Sequence, residues 1–252
     1  MRTEQGVNVV HQCTNRIISS LSEEARSYLL ERCQSVVLEQ RATIYEEEQT
    51  QQYAYFLDSG FASIVVSMHD GETAEVEMVG REGVVGGFNL LSRANVPVPT
   101  RCFIQVAAEG HRIPVPELRR VVQAMPEIRE RISAFLQAEM AALTQVAACH
   151  RVHEAEQRLS RWLLMAQDRV GGDVLRLTQE FLAEMLGTRR TTVTEVAGGL
   201  QRKGLIEYHR GTVKVVNRTE LEGVSCGCYR IVTRIYESIY MREKVALDGH
   251  AK

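Results

Sequence analysis

Gln179-Glu-Phe-Leu-Ala-Glu-Met-Leu-Gly-Thr-Arg-Arg-Thr-Thr-Val-Thr-Glu-Val196 reads as two short helices joined by a tight turn. Helices cross closely only where the residues at the crossing are small, and Ala183 supplies one. Gly187 sits where an interhelical turn needs a residue that tolerates positive φ. Phe181, Leu182, Met185 and Leu186 give the first helix an inner face. Val193, Val196 and Leu200 give the second its own, at spacings of three and four. Arg190, Thr191, Thr194, Glu195 and Gly198 then point outward, as the base-reading face of a helix in a major groove does. Downstream, the runs ending at His209 and Val216 flank Arg210-Gly211, which predicts a β-hairpin, the wing of a winged helix-turn-helix. An ordinary helical hairpin in a globular core is the alternative.

Charge favours the nucleic-acid reading. From Arg176 to Arg218 there are eight basic residues and four acidic ones, a net of +4 in a chain whose total is −2. The remainder therefore carries −6, and the positive charge is concentrated where phosphate contact needs it. Arg189, Arg190, Thr191, Thr192, Thr194 and Glu195 are the expected groove-facing residues, and Arg202, Lys203 and Arg210 the expected phosphate contacts.

At 252 residues the chain has room for two domains, each with its own core. With 44% apolar and 25% charged residues its composition is that of a globular protein. No run of apolar residues approaches the ~20 of a membrane span, and Met1-Arg-Thr-Glu-Gln-Gly6 lacks the apolar segment of a signal peptide. A cytoplasmic location without membrane attachment is expected. No Walker loop, G-x-S-x-G, His-Glu-x-x-His or paired-carboxylate signature is present, so no catalytic residue is assigned and an enzyme is not expected.

Residues 15–33 have helical spacing, with Ile17, Ile18, Leu21, Tyr28, Leu29 and Leu30 as inner positions. From Ser35 to Val115 short apolar strands are broken by Asp58-Ser-Gly60, His69-Asp-Gly71 and Gly80-Arg-Glu-Gly83, a pattern that predicts a β-barrel or jelly roll. Pro126 opens a long helix whose Ile132, Leu136, Met140, Leu143 and Ala147 form a stripe. That stripe could pack on its own domain; the favoured reading pairs it with a second copy, so that a two-fold dimer presents two recognition helices to a palindromic site. Residues 153–170 form a further amphipathic helix with Trp162 in its core. The fold class is therefore α+β, with residues 1–125 as sensor barrel, 126–153 as dimerisation helix and hinge, 154–218 as winged helix-turn-helix, and 219–252 as a C-terminal helical extension.

This order of elements resembles the bacterial regulators of the cyclic-AMP receptor protein and fumarate-and-nitrate-reduction regulator (Crp/Fnr) family, over about residues 15–218. The resemblance rests on Phe56-Leu-Asp-Ser-Gly60, on the glycine-rich Val79-Gly-Arg-Glu-Gly-Val-Val-Gly-Gly87, and on Leu177 to Val193. It implies a cyclic-nucleotide-binding-like sensor, a homodimer, double-stranded DNA as partner, and contact with RNA polymerase. Arg190 stands where the family's guanine-reading arginine falls, while Thr191 and Glu195 depart from its usual glutamate and arginine, so the operator should differ from the family consensus. The implied effector pocket maps to Gly86, Gly87, Thr100 and Arg101. Gly86-Gly87 lacks the carboxylate that holds a ribose in cyclic-AMP-binding members, which argues against cyclic AMP. An alternative is a cyclic-nucleotide or other small-ligand receptor module acting through protein partners.

The six cysteines do not suggest a disulfide framework. Cys13 stands alone at the N-terminal end, against an iron–sulfur cluster there, and His69 is read as a turn residue rather than a haem ligand. Cys149, His150 and His153 read as hinge positions, with metal ligation from one helix face as the alternative. Cys226-Gly-Cys228 reads as small residues opening the extension helix, with half a metal site or a redox pair as the alternative. No metal is assigned. The extension helix, with Ile231, Ile235, Ile239 and Tyr240 inward, is expected to pack on the winged domain.

Overall fold

The structure is a computed structural model that describes residues 13–68, 73–90 and 98–241. The His69 turn lies outside the described residues. Two short helices, α1 (Arg16–Ser19) and α2 (Glu23–Leu30), lead the chain. Asn15 caps α1 by accepting hydrogen bonds from the Ile17 and Ile18 amides, and its own amide donates to Leu57 O and Gly83 O. That pins the helical lead to the strands. Ile17, Ile18, Leu21 and Leu29 are buried as the spacing predicts, while Tyr28 and Leu30 are half-buried.

Seven strands follow: β1 (Gln34–Leu38), β2 (Thr43–Tyr45), β3 (Tyr53–Leu57), β4 (Phe61–Ser67), β5 (Thr73–Val79), β6 (Arg101–Val106) and β7 (Ala108–Pro114). They form two antiparallel sheets, ordered β1-β7-β3 and β2-β6-β4-β5. The expected barrel is thus an open jelly roll: among the described residues the two sheets share no continuous ladder that would close them. Outer strand β5 instead lies against helices from the rest of the chain. Of these strands β2 alone escapes the sequence reading, because three residues carry too little alternation to register.

Helices α3 (Val115–Ala124) and α4 (Pro126–Val152) come next, with Pro126 in the first turn of α4 as expected. The α4 stripe does not stay on one face. Ile132 and Leu136 are buried, Leu143 is half-buried, and Met140 and Ala147 are exposed. Four steps covering fifteen residues average 3.75 per step against 3.6 per turn, so the stripe drifts by about 60° from the core toward solvent. Phe135, on the inner face, packs its ring so close to Gly83 that a Cβ there would lie 2.2 Å from it. Only glycine lets the 79–87 segment meet the helix.

The remaining elements are α5 (Ala155–Val170), β8 (Val174–Arg176), α6 (Gln179–Met185), α7 (Arg190–Arg202), β9 (Ile206–His209), β10 (Thr212–Val215), α8 (Arg218–Val224) and α9 (Cys228–Ser238). Strand β8 escapes the sequence reading and completes a sheet of order β8-β10-β9. Helix α9 lies across α4 as well as against α5, the first helix of the predicted winged domain. Its inner residues are Tyr229, Val232 and Tyr236, whereas Ile231 is exposed. Tyr236 stacks on Phe135 with ring centroids 6.1 Å apart, and that aromatic pairing sets the helix's rotation against the expected isoleucine face.

Candidate nucleic-acid interface

Helix α6 begins where the Thr178 hydroxyl accepts from the Phe181 amide at 3.1 Å. It ends at Leu186, followed by Gly187 at φ +54, and Thr188 N returns to Ala183 O at 3.0 Å. The predicted turn is present. Ala183 is buried at the crossing, with Leu182, Met185, Val193 and Leu200 around it. Ala197 takes the inward place expected of Val196, which is half-buried. Arg158 of α5 donates to Leu186 O at 3.0 Å, so the preceding helix holds the end of α6.

That scaffold leaves Arg189, Arg190, Thr191, Thr194 and Glu195 exposed on the first two turns of α7, with Thr192 half-buried. The Thr194 hydroxyl lies 2.8 Å from Gln179 Oε1 and 2.9 Å from Arg190 O, so it braces the two helices as well as facing outward. Arg202 is exposed. Lys203, also exposed, pairs with Glu156 of α5 at 2.6 Å, which ties its ammonium to the domain. In the wing, Arg210 (φ 47) and Gly211 (φ 76) make a two-residue turn, with His209 opposite Thr212. Arg210 is exposed at its tip. Gln201 Oε1 accepts from Tyr208 N at 2.8 Å and Tyr208 Oη donates to Leu177 O at 3.0 Å, fastening the wing to α7 and to the segment that leads into α6. These braces come from residues distant in sequence, and linear spacing carries no signal for them.

The four residues mapped to an effector pocket lie at the start of β6 and in the glycine-rich segment. Arg101 faces the DNA-binding side, 3.5 Å from Glu184 of α6 and over the Phe103 ring. Thr100 lies 3.3 Å from Tyr45 Oη. Gly86 faces the Gln51 amide, and Gly87 the Val84 and Leu136 side chains.

A buried junction joins the strands to the DNA-binding region. Trp162 of α5 packs edge-on against both Phe61 and Phe181, and its indole N–H donates to Glu75 at 2.5 Å. Arg169 pairs with Glu82 at 2.6 Å and donates to Met165 O and Met78 O. Tyr240 Oη reaches Glu82 O at 2.5 Å, with Arg16 over its ring. A change at the glycine-rich segment therefore meets α4, α5 and the C-terminal segment together.

A strand module, a long connecting helix and an exposed basic helix beside a wing define the architecture of a helix-turn-helix DNA-binding protein. Comparison with known proteins agrees. Residues 157–224 match the Crp-like helix-turn-helix domain, and over 84% of its length the chain shares the fold of a Crp/Fnr-type structure. It is similar to a putative Crp/Fnr-family transcriptional regulator from Eubacterium rectale, with a TM-score of 0.66, 12% identity and coverage of 84% of this chain and 99% of that one. It is also similar to the c-di-GMP-responsive global regulator CLP of Xanthomonas campestris, with a TM-score of 0.64, 19% identity and 77% and 99% coverage. A curated relative, the transcriptional regulatory protein btr of Bordetella pertussis, is 24% identical over 148 residues, and the match spans 56% of this chain and 57% of that protein.

Proposed function

We propose that the chain is a sequence-specific, double-stranded-DNA-binding transcription regulator that works in the cytoplasm as a homodimer. The observation that carries this reading is the exposed start of α7, where Arg189, Arg190 and Thr191 project beside the wing from a braced helix pair. Arg190 reads a base and Arg189, Arg202 and Arg210 contact phosphates. Arg190→Ala is expected to weaken operator binding by about 1–3 kcal/mol while leaving binding to random DNA nearly unchanged. A gel-shift titration against both DNAs at several salt concentrations measures it. Equal losses on operator and random DNA would reject a base-reading role.

Dimerisation is supported by what α4 leaves uncovered. The most apolar 18-residue stretch of α4 is only 33% buried within its own chain. Met140 is 66% exposed, and Ala141, Thr144, Ala147 and Ala148 are exposed alongside it. Small residues beside a methionine let a second helix approach closely and bury the remainder. Met140→Arg should therefore give a monomer in sedimentation analysis and weaken binding to a palindromic operator by about 10²-fold, through loss of the second recognition helix. A dimer of unchanged affinity would place the interface elsewhere.

The strand module supplies the input in this reading. Its contacts with α5 and α6, through Trp162, Arg169 and Arg101, exist in one relative placement of the two halves. A signal that favours a second placement reorients the recognition helices by shifting a two-state balance.

A further inference from the structure

Cys149 lies in the last turn of α4, and His153, which caps that helix, follows four residues later on the same side. Cys226 and Cys228 flank Gly227 where α9 begins. The fold brings these two pairs together. Cys149 Sγ is 3.5 Å from Cys226 Sγ, His153 Nδ1 is 3.6 Å from Cys228 Sγ, and all four ligand atoms lie within 4.8 Å of one another. We propose that Cys149, His153, Cys226 and Cys228 form a tetrahedral Cys₃His zinc site that fastens the C-terminal segment to the hinge between the long helix and the DNA-binding domain.

The spacing suits one ion. Zinc–sulfur bonds of about 2.3 Å in a tetrahedron place sulfurs about 3.8 Å apart, close to the distances found. An iron–sulfur cluster spreads its ligands over two or more irons and needs a wider arrangement than 4.8 Å allows. The three sulfurs are buried and form a cluster of their own, apart from the main core, so apolar packing does not explain why they converge. As thiols they would be weak hydrogen-bonding groups facing one another, and as thiolates they would repel unless a cation lay between them.

The surroundings fit as well. Gln145 Nε2 donates to Cys228 Sγ at 3.1 Å, the kind of outer contact that orients a ligand sulfur. Three thiolates and a neutral imidazole around Zn²⁺ carry a net −1. The Arg161 side chain is buried, and its Nε has no hydrogen-bond partner among the described residues. The two chain segments meet only in the folded protein, so a metal here links the α4 hinge at His153 to the α9 strap that also covers α5.

The site goes beyond the DNA-binding reading and stands or falls without it. Full-length chain purified without chelator should carry about one zinc per chain by plasma mass spectrometry. C226S/C228S should lose that metal, and Cys33→Ser, outside the cluster, should keep it. Because the double variant could misfold, cobalt titration of the metal-stripped wild type provides an independent readout: one equivalent should produce the intense visible bands of tetrahedral thiolate ligation, with His153→Ala altering them. Folded wild type that takes up neither zinc nor cobalt stoichiometrically would overturn the site. So would full metal retention in folded C226S/C228S.

Discussion

Replacing Arg169 with methionine is expected to destabilise the protein by about 3–5 kcal/mol, the usual cost of leaving a buried charge without its partner. Arg169 and Glu82 side chains are only 7% and 9% exposed. The guanidinium meets Glu82 Oε1 through Nε at 2.9 Å and Nη2 at 2.6 Å. It also satisfies Met165 O at 2.9 Å and Met78 O at 3.2 Å. Methionine fills much of the volume but supplies none of these donors, so the Glu82 carboxylate loses its cation while keeping the Gly80 N–H, and the Met78 carbonyl loses a donor inside the junction. Adding Glu82→Gln removes the stranded charge, and the double variant should recover most of the loss. That leaves a coupling of more than about 1 kcal/mol between the two positions. Urea unfolding followed by Trp162 fluorescence is the suitable measurement, because this single tryptophan sits between Phe61 and Phe181 and reports the junction itself. Losses that simply add would mean that the pair contributes nothing jointly.

Glu75→Gln should stabilise the protein at pH 8 by up to about 3 kcal/mol and have little effect at pH 5. Burial raises the Glu75 carboxyl from an ordinary 4.5 to about 7, despite hydrogen bonds from Ser63 and Trp162 and the nearby Arg161 and Arg169. The folded state thus holds a proton that the unfolded chain releases above about 4.5. Stability from this group falls as pH rises from about 4.5 to about 7, and the loss is complete above that, at about 1.4 kcal/mol per pH unit. Glu139 of α4 behaves alike, raised to about 7 by burial, and burial pushes its neighbour Glu77 well above the carboxylate range. Glu82, Arg161, Arg169 and Tyr236 complete the charged and titratable surroundings from the adjoining elements. His150 works in the opposite sense: burial and the nearby Arg161 and Arg158 lower it to about 4, so it removes stability as pH falls below 6.5. The overall pH profile therefore mixes both signs, and the decisive quantity is the difference between wild type and variant at each pH. Glutamine keeps an acceptor for the Trp162 N–H and offers a donor to Ser63. A difference that stays constant from pH 5 to pH 8 would show that Glu75 does not titrate in this range.

The helix pair, the wing and the long helix are legible from neighbouring residues, whereas the three-residue strands β2 and β8 are too short to register. The 3.6-residue spacing of Leu182, Met185, Val193 and Leu200, with Gly187 between the helices, specifies the helix pair, because local backbone geometry and one buried face leave little else for that segment to do. The wing follows from Arg210-Gly211 between two short apolar runs, the long helix from Pro126 and its stripe, and the strand module from repeated turns. The exposed face of α7 is legible for the same reason: once the inward residues are known, Arg189, Arg190 and Thr191 have to face outward.

Tertiary structure decided whatever joins distant segments. Nothing near Arg101 in sequence indicates that it turns toward Glu184, or that the glycine-rich segment closes on Phe135. The extension was legible as a helix, but its rotation was not, since Tyr236 stacks on a ring a hundred residues earlier. The half-site at Cys226 and Cys228 acquires its other half from Cys149 and His153 only because α9 folds back along α4. Local sequence determined most of the elements and the exposed face of α7 in this protein. Packing between remote elements determined how the two halves are fastened together, because such contacts leave no periodic trace along the chain.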